Sequence, residues 1–145
     1  MDALIERLYR WQRFLLPLRC LLCGAAGAQG VDLCADCAAE LPRNHSCCAR
    51  CALPLATPAA LCGECQRHSP PWDAAWSPFR YGWPLDRLES RYKFGADLAA
   101  GRVLATLWQR EPCPVALPQC LLTVPLYCRR LRQRGYNQVS VTMCI

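Results

Sequence analysis

Apolar residues recur with different periods in successive stretches of the chain, and each period predicts an element. Over residues 2–16, Leu4, Ile5, Leu8, Trp11 and Leu15 repeat at helical spacing while Glu6, Arg7, Arg10 and Arg13 face elsewhere. This predicts an amphipathic helix within residues 1–18 that Pro17 ends. Docking on its own domain is the expected role of its apolar face, and a membrane-surface role is the alternative its arginines and Trp11 suggest. Residues 19–71 predict short strands, tight knuckles and brief helical turns after Cys37 and Cys65, closed by the linker Ser69-Pro70-Pro71. Residues 72–83 alternate with Trp72, Trp76, Phe79, Tyr81 and Trp83, which predicts one or two short strands or a hairpin. Such a stripe commonly packs in a core, and base stacking is its other use.

Helical spacing returns after Pro84. Leu85, Leu88 and Tyr92 share a face up to Phe94, and Gly95 breaks the run. A second helix is predicted from the N-cap Asp97 to Arg110, with Leu98, Val103, Leu104, Leu107 and Trp108 apolar. Pro112, Pro114 and Pro118 make a loop. The apolar run Cys120-Leu-Leu-Thr-Val-Pro-Leu126 predicts a buried strand of a parallel sheet. Residues 127–138 read as a basic loop, with a helix starting near Asn137.

Composition narrows the class. With 53% apolar and 19% charged residues the chain is not a disordered one. No apolar run approaches the ~18 residues of a membrane span. Phe14 to Leu18 is the longest early apolar run, short of the ~7 residues of a secretory core, so no leader is expected and the compartment expected is the cytoplasm. The formal net charge of +6 is uneven. Residues 119–145 carry +4, all arginine and no acid, whereas residues 20–71 carry −1. That distribution points to an anion site near the C-terminal end rather than to a protein that coats nucleic acid generally.

Thirteen cysteines in 145 residues require their own explanation. Cys20 and Cys23 are followed by Cys34 and Cys37; Cys48 and Cys51 are followed by Cys62 and Cys65. Each position in the second set lies 28 residues after its counterpart in the first, so two copies of one small unit stand in tandem. Two residues between thiols let a knuckle aim both sulfurs at one ion, and a second knuckle completes a tetrahedron with sulfurs at about 2.3 Å. A unit this short cannot fold on its own apolar burial, so metal supplies the missing free energy. Two zinc ions are therefore expected. The alternatives fit less well: an odd cysteine count argues against a disulfide framework, and four pairs in register argue against a redox pair or an iron–sulfur cluster. The repeat favours consecutive pairing of the sites over a cross-braced exchange. Cys47 is expected to be a spare thiol, and His45 and His68 surface groups. Cys113, Cys120, Cys128 and Cys144 show no ligand spacing, and the first three suit small apolar positions. With eight thiolates and two zinc ions the ribbon region carries about −5, which makes it a poor clamp for DNA.

Taken together, these residues resemble the ComF family, including its GntX-type members. The resemblance rests on the paired CxxC ribbons, the aromatic stretch, Lys93-Phe94-Gly95, Val124-Pro125-Leu126 and the run Arg130-Leu131-Arg132-Gln133-Arg134-Gly135-Tyr136-Asn137-Gln138. It implies a bacterial protein associated with DNA uptake and use in competence. The implied fold is α/β, a tandem zinc ribbon at residues 19–71 followed, at residues 72–145, by the beginning of a type I phosphoribosyltransferase-like domain.

The basic run supports that reading independently, because arginine offers planar paired donors to phosphate oxygens. In the resembled family it would lie beside the pyrophosphate end of phosphoribosyl pyrophosphate. Arg129, Arg130, Arg132 and Arg134 are the candidate anion ligands, Gly135 and Tyr136 would shape the turn, and Asn137 and Gln138 would orient polar groups. A nucleic-acid backbone and a solvated loop are the competing readings of the same charges. A type I phosphoribosyltransferase also carries a later strand ending in two acidic residues and a Thr/Gly-rich loop, which hold the ribose phosphate and Mg2+. These residues contain no adjacent acidic pair and no such loop. The expectation is a truncated member that is catalytically incomplete. Its partners would be single-stranded DNA or DNA-processing proteins, and a zinc-ribbon interaction module is the alternative function.

Overall fold

Backbone hydrogen bonding in the first half of the chain follows the cysteine pairs. The structure, a computed structural model, describes residues 17–113 and 119–143. The helix expected over residues 2–16 lies outside the described residues, as do Pro114, Pro118 and Cys144. The 28-residue repeat of the sequence is a repeat of bonds. Cys20 N donates to Ala25 O at 2.8 Å and Cys48 N to Leu53 O at 2.9 Å. Leu21 N reaches Asp32 O and Ala49 N reaches Ala60 O, both at 3.0 Å. Ala38 N and Gln66 N close equivalent turns on Cys34 O and Cys62 O, again both at 3.0 Å. Even the isolated bridges correspond, Arg19 with Ala26 and Cys47 with Pro54. In the first knuckle of each ribbon the chain reverses through a left-handed residue, Gly24 at φ 80° and Ala52 at φ 59°. Glycine takes that conformation freely, whereas alanine bears a cost of roughly 1–2 kcal/mol.

The helical turns begin one residue after the third cysteine of each unit, as α1 (Ala35–Ala39) and α2 (Gly63–Arg67). They therefore contain Cys37 and Cys65 rather than following them. The reason is capping: Cys34 and Cys62 are the N-caps, and their sulfurs accept from Cys37 N and Cys65 N.

Beyond the ribbons, α3 (Leu85–Phe94) and α4 (Leu98–Arg110) lie where the apolar spacing placed them. Asp97 caps α4, its side chain accepting from Ala100 N at 3.1 Å. α3 buries Leu85, Leu88 and Tyr92; α4 buries Ala100, Gly101, Val103, Ala105 and Leu107. The two helices pack on each other, and α4 also packs on the later helix over Gln138–Met143. Gly101 lets α4 approach closely, because a Cβ there would sit 2.5 Å from the Tyr92 ring.

Several expectations are corrected. Residues 72–83 form no hairpin. Instead, Phe79 bridges to Arg43, with Asn44 N on Pro78 O and Arg80 N on Pro42 O, both 2.8 Å. This segment straps the helices to the link between the ribbons. Residues 128–134, read as a loop, form α5 (Cys128–Arg134), followed by α6 (Gln138–Met143). Arginine, leucine and glutamine are good helix formers, and Gly135 ends α5 at φ 78°. The run 120–126 is extended but is not a buried strand: Leu121 is 64% exposed, Leu122 90% and Val124 74%. A strand requires a ladder partner, and among the described residues none runs beside it. Only side chains reach it there, Asn137 Nδ2 on Val124 O and Ser140 Oγ on Thr123 Oγ1. Cys113, Cys120 and Cys128 are exposed rather than in apolar niches. Among the described residues no strand forms at all, so the expected α/β sheet is not seen there.

Replacing Gly101 by alanine should gain about 1 kcal/mol of helix propensity yet lose more to the Tyr92 clash, lowering stability by roughly 1–2 kcal/mol net. A thermal melt followed by circular dichroism measures this. An unchanged midpoint would mean that Tyr92 can move aside.

Candidate metal centres

The two ribbons bring their cysteines together as two separate groups. Cys20, Cys23, Cys34 and Cys37 form one, Cys48, Cys51, Cys62 and Cys65 the other, with sulfurs in each group within 4.8 Å of one another. Pairing is thus consecutive, as the repeat favoured. A tetrahedral ion with Zn–S bonds of about 2.3 Å has S···S edges of about 3.8 Å. The observed Cys23–Cys34 and Cys51–Cys62 sulfur separations are 3.6 and 3.7 Å. The donor set and its spacing fit two four-thiolate zinc sites, closed to any fifth group.

Local electrostatics prepare the first thiolate and resist the last. Burial opposes charge on Cys20, yet N–H groups of Cys34, Cys23 and Leu22 outweigh it together and bring the thiol down to about 6. At Cys48 the Cys62 N–H leads, joined by those of Cys51 and Arg50 against burial, and the thiol also falls to about 6. Burial, then the neighbouring sulfurs of Cys51, Cys62 and Cys48, push Cys65 up to about 12. The same causes raise Cys37, burial first and then Cys34, Cys23 and Cys20. Four sulfurs this close cannot all ionise beside one another, and a divalent cation among them reverses that balance.

The sites differ in what surrounds them. Cys20 and Cys34 belong to the main core, with Val31, Leu33, Leu41, Phe79, Leu85, Leu88, Val103 and Leu107. Cys48, Cys62 and Cys65 form a small cluster of their own, with Cys51, Leu55 and Leu61. Three arginines of the helical pair also hold the first ribbon by its carbonyls. Arg91 donates to Leu21 O at 2.6 Å, Arg102 to Gly30 O at 3.0 Å and Arg110 to Gln29 O at 2.9 Å. Sequence reasoning missed this clamp, since a backbone carbonyl as acceptor leaves no residue-type signal. Cys47 stands outside both groups, and His45 and His68 are exposed, His68 facing Glu64 at 3.2 Å.

The candidate anion ligands separate into two sets. Arg129, Arg130 and Arg132 are exposed on α5, and Arg134 is half-buried. At about 100° per residue, Arg130 and Arg134 share one side of the helix, Arg129 and Arg132 another. The neighbouring residues are held within the fold. Gly135 N closes α5 on Leu131 O at 2.8 Å. Tyr136 stacks on Tyr92 with ring centroids 5.6 Å apart and donates to Tyr92 O. Burial raises the Tyr136 hydroxyl, helped by Tyr92 and Asp97 and opposed by Arg134. Asn137 accepts from Val139 N and opens α6. Gln138 is buried, accepting from Arg134 and, through its carbonyl, from Tyr92.

Comparison with known proteins places these features in context. Residues 11–67 match the double zinc ribbon domain. The chain is 34% identical over 125 residues to the DNA utilization protein YhgH of Salmonella typhi, covering 82% of this chain and 49% of the relative. The protein of that name in Escherichia coli is 30% identical over the same length and coverage. Competence protein F of Haemophilus influenzae is 33% identical over 85 residues, 54% of this chain and 37% of the relative. The chain thus spans about half the length of the YhgH proteins it matches. A match to 82% of the chain necessarily extends beyond the ribbons into the helical part. No solved structure matches. Among the described residues no helix is long and apolar enough to cross a membrane.

Mass spectrometry of the native protein should find two zinc ions per chain, and one each in Cys34→Ser and Cys62→Ser. The melts of those variants should differ. Cys62→Ser should lose the second ribbon and leave the helical transition in place. Cys34→Ser should lower the helical transition as well, because its sulfur lies in the shared core. Equal effects on the helices would refute the asymmetry.

Proposed function

Because the chain belongs to the ComF family, we propose that it serves in DNA utilisation as the zinc-ribbon-bearing half of such a protein, meeting single-stranded nucleic acid through its arginines. The observation that carries this is similarity running beyond the ribbons into the helical part, to relatives named for DNA utilisation. The metal-bound ribbons form the scaffold. Their thiolates make them anionic, so contact with a polyanion falls to the later part of the chain. Arg129, Arg130 and Arg132 are exposed there, and no carboxylate pairs with them among the described residues. Arginines spread around a helix suit an extended backbone better than one enclosed phosphate group.

The same family membership supports reading residues 72–145 as the opening of a phosphoribosyltransferase-like domain. In the whole protein, phosphoribosyl pyrophosphate with Mg2+ would be its small ligand, beside the Arg130–Gln138 run. The present residues hold no adjacent acidic pair with which to grip a ribose and its magnesium.

Two measurements test the proposal. Fluorescence anisotropy should show the zinc-loaded chain binding labelled oligodeoxythymidine, with log affinity falling linearly with log salt. In Arg129→Ala/Arg132→Ala the slope should drop by about 0.7 for each phosphate that the variant no longer neutralises. The chain should release no pyrophosphate from phosphoribosyl pyrophosphate with any base. Absent oligonucleotide binding would remove the DNA reading, and detectable pyrophosphate release would overturn the catalytic one.

A further inference from the structure

Helix α3 has a side that the core does not use. Leu85, Leu88 and Tyr92 face inward. At about 100° per residue, Arg87, Ser90 and Phe94 line the opposite side within an arc of roughly 60°, and Trp83, just ahead of the helix, joins them through its contact with Arg87. Trp83 is 61% exposed and Phe94 79%. Single exposed aromatics are ordinary on a protein surface, but two in one line form a patch that requires a partner.

Each ring also carries its own cation. The Arg87 guanidinium lies 5.6 Å from the Trp83 centroid, and that of Arg134 lies 5.4 Å from the Phe94 centroid. Arg134 comes from α5, so two helices build one stripe, with Arg130 a turn away on the same side. Among the described residues, Arg87, Arg130 and Arg134 pair with no carboxylate. Of the flanking charges, Glu89 pairs with Lys93 and Arg91 with Asp97, while Asp86 is half-buried and leaves the three arginines in excess. The stripe is therefore aromatic and net positive, which selects a polyanion with flat faces rather than an apolar protein segment.

We propose that this stripe is the docking strip for single-stranded DNA, with bases stacking on Trp83 and Phe94 and phosphates meeting Arg87, Arg130 and Arg134. It rests on the DNA-handling reading above and gives that reading a surface. From Arg87, which holds the Trp83 ring, to Phe94 the helix rises about 10 Å, a span of a few nucleotides. Every base has a π face, so the strip takes any sequence. A duplex keeps its bases stacked on one another and cannot offer them to the rings, so the strip discriminates between single and double strands.

The zinc-loaded chain, labelled oligodeoxythymidine and a duplex competitor of the same length test this. Trp83→Ala and Phe94→Ala should each weaken single-strand binding about five- to hundredfold. Trp83→Phe should restore most of the loss, and the duplex should compete poorly. Arg87→Ala and Arg130→Ala should each lower the salt slope by about 0.7, and Arg87→Lys should keep it. Arg134 is also bonded to Gln138, so its removal is a less clean test. Zinc content and circular dichroism should not change, since both rings are exposed. If the wild-type chain binds no oligonucleotide, the DNA reading falls and the strip with it. If it binds and both alanine variants bind equally well, DNA lies elsewhere and the strip alone is refuted. A dimer of the wild-type chain that Trp83→Ala dissociates, with oligonucleotide affinity unmoved, would make the stripe a protein contact and also refute it.

Discussion

Four sulfurs within 4.8 Å of one another are the constraint on which the first half of this chain depends. Thiols packed so closely repel as they ionise, and the fold draws them together regardless, using N–H groups to ready Cys20 and Cys48 and burial to hold Cys37 and Cys65. Only a cation resolves that conflict, and binding free energies of about 10–16 kcal/mol for structural zinc exceed anything these short units could draw from apolar burial. The backbone turns are consequences. The first knuckle of each ribbon reverses through a left-handed residue, and the second ribbon accepts the strain of Ala52 where the first uses Gly24.

Equal bonding has not given the ribbons equal standing. The first is fused to the helical pair through a shared core, and Arg91, Arg102 and Arg110 grip its carbonyls. The second is linked through Asn44, whose side chain donates to Ala52 O at 3.0 Å and Ser77 O at 3.2 Å, and through Trp72 on Arg50 O. A metal in the first site would thereby stabilise the body of the protein, and one in the second an appendage. This division follows from tertiary contact alone, because the two ligand sets are identical in type and spacing.

Those differences also explain which features were legible in the sequence. The cysteine spacing encodes a coordination geometry directly: both sites follow from it, and the 28-residue repeat favoured the consecutive pairing that the structure shows. α3 and α4 were legible too, since apolar period, Asp97 and Gly95 all agree. The hairpin expected from the aromatic alternation was not found, because Phe79 pairs with Arg43, a partner far away in sequence. The strand expected at 120–126 depended on neighbours that a period of apolar residues does not supply. Arg129 to Arg134 read as a loop because charge was weighed above helix propensity.

The run from Arg134 to Gln138 joins the fold to the proposed anion surface. Gly135 ends a helix and Asn137 begins another, so the chain turns sharply enough for Tyr136 to stack on Tyr92. Tyr92 in turn is packed against Gly101 and bonded to the Gln138 carbonyl. The turn therefore fixes α5 against the end of α3, which is what places the Arg134 guanidinium over Phe94. Tyr136 would thus serve the proposed anion contact without touching an anion, because it positions the helix that carries the arginines. Its ring is the joint between the buried side of α3, set by apolar period, and the exposed side, where charge and aromatic surface meet solvent.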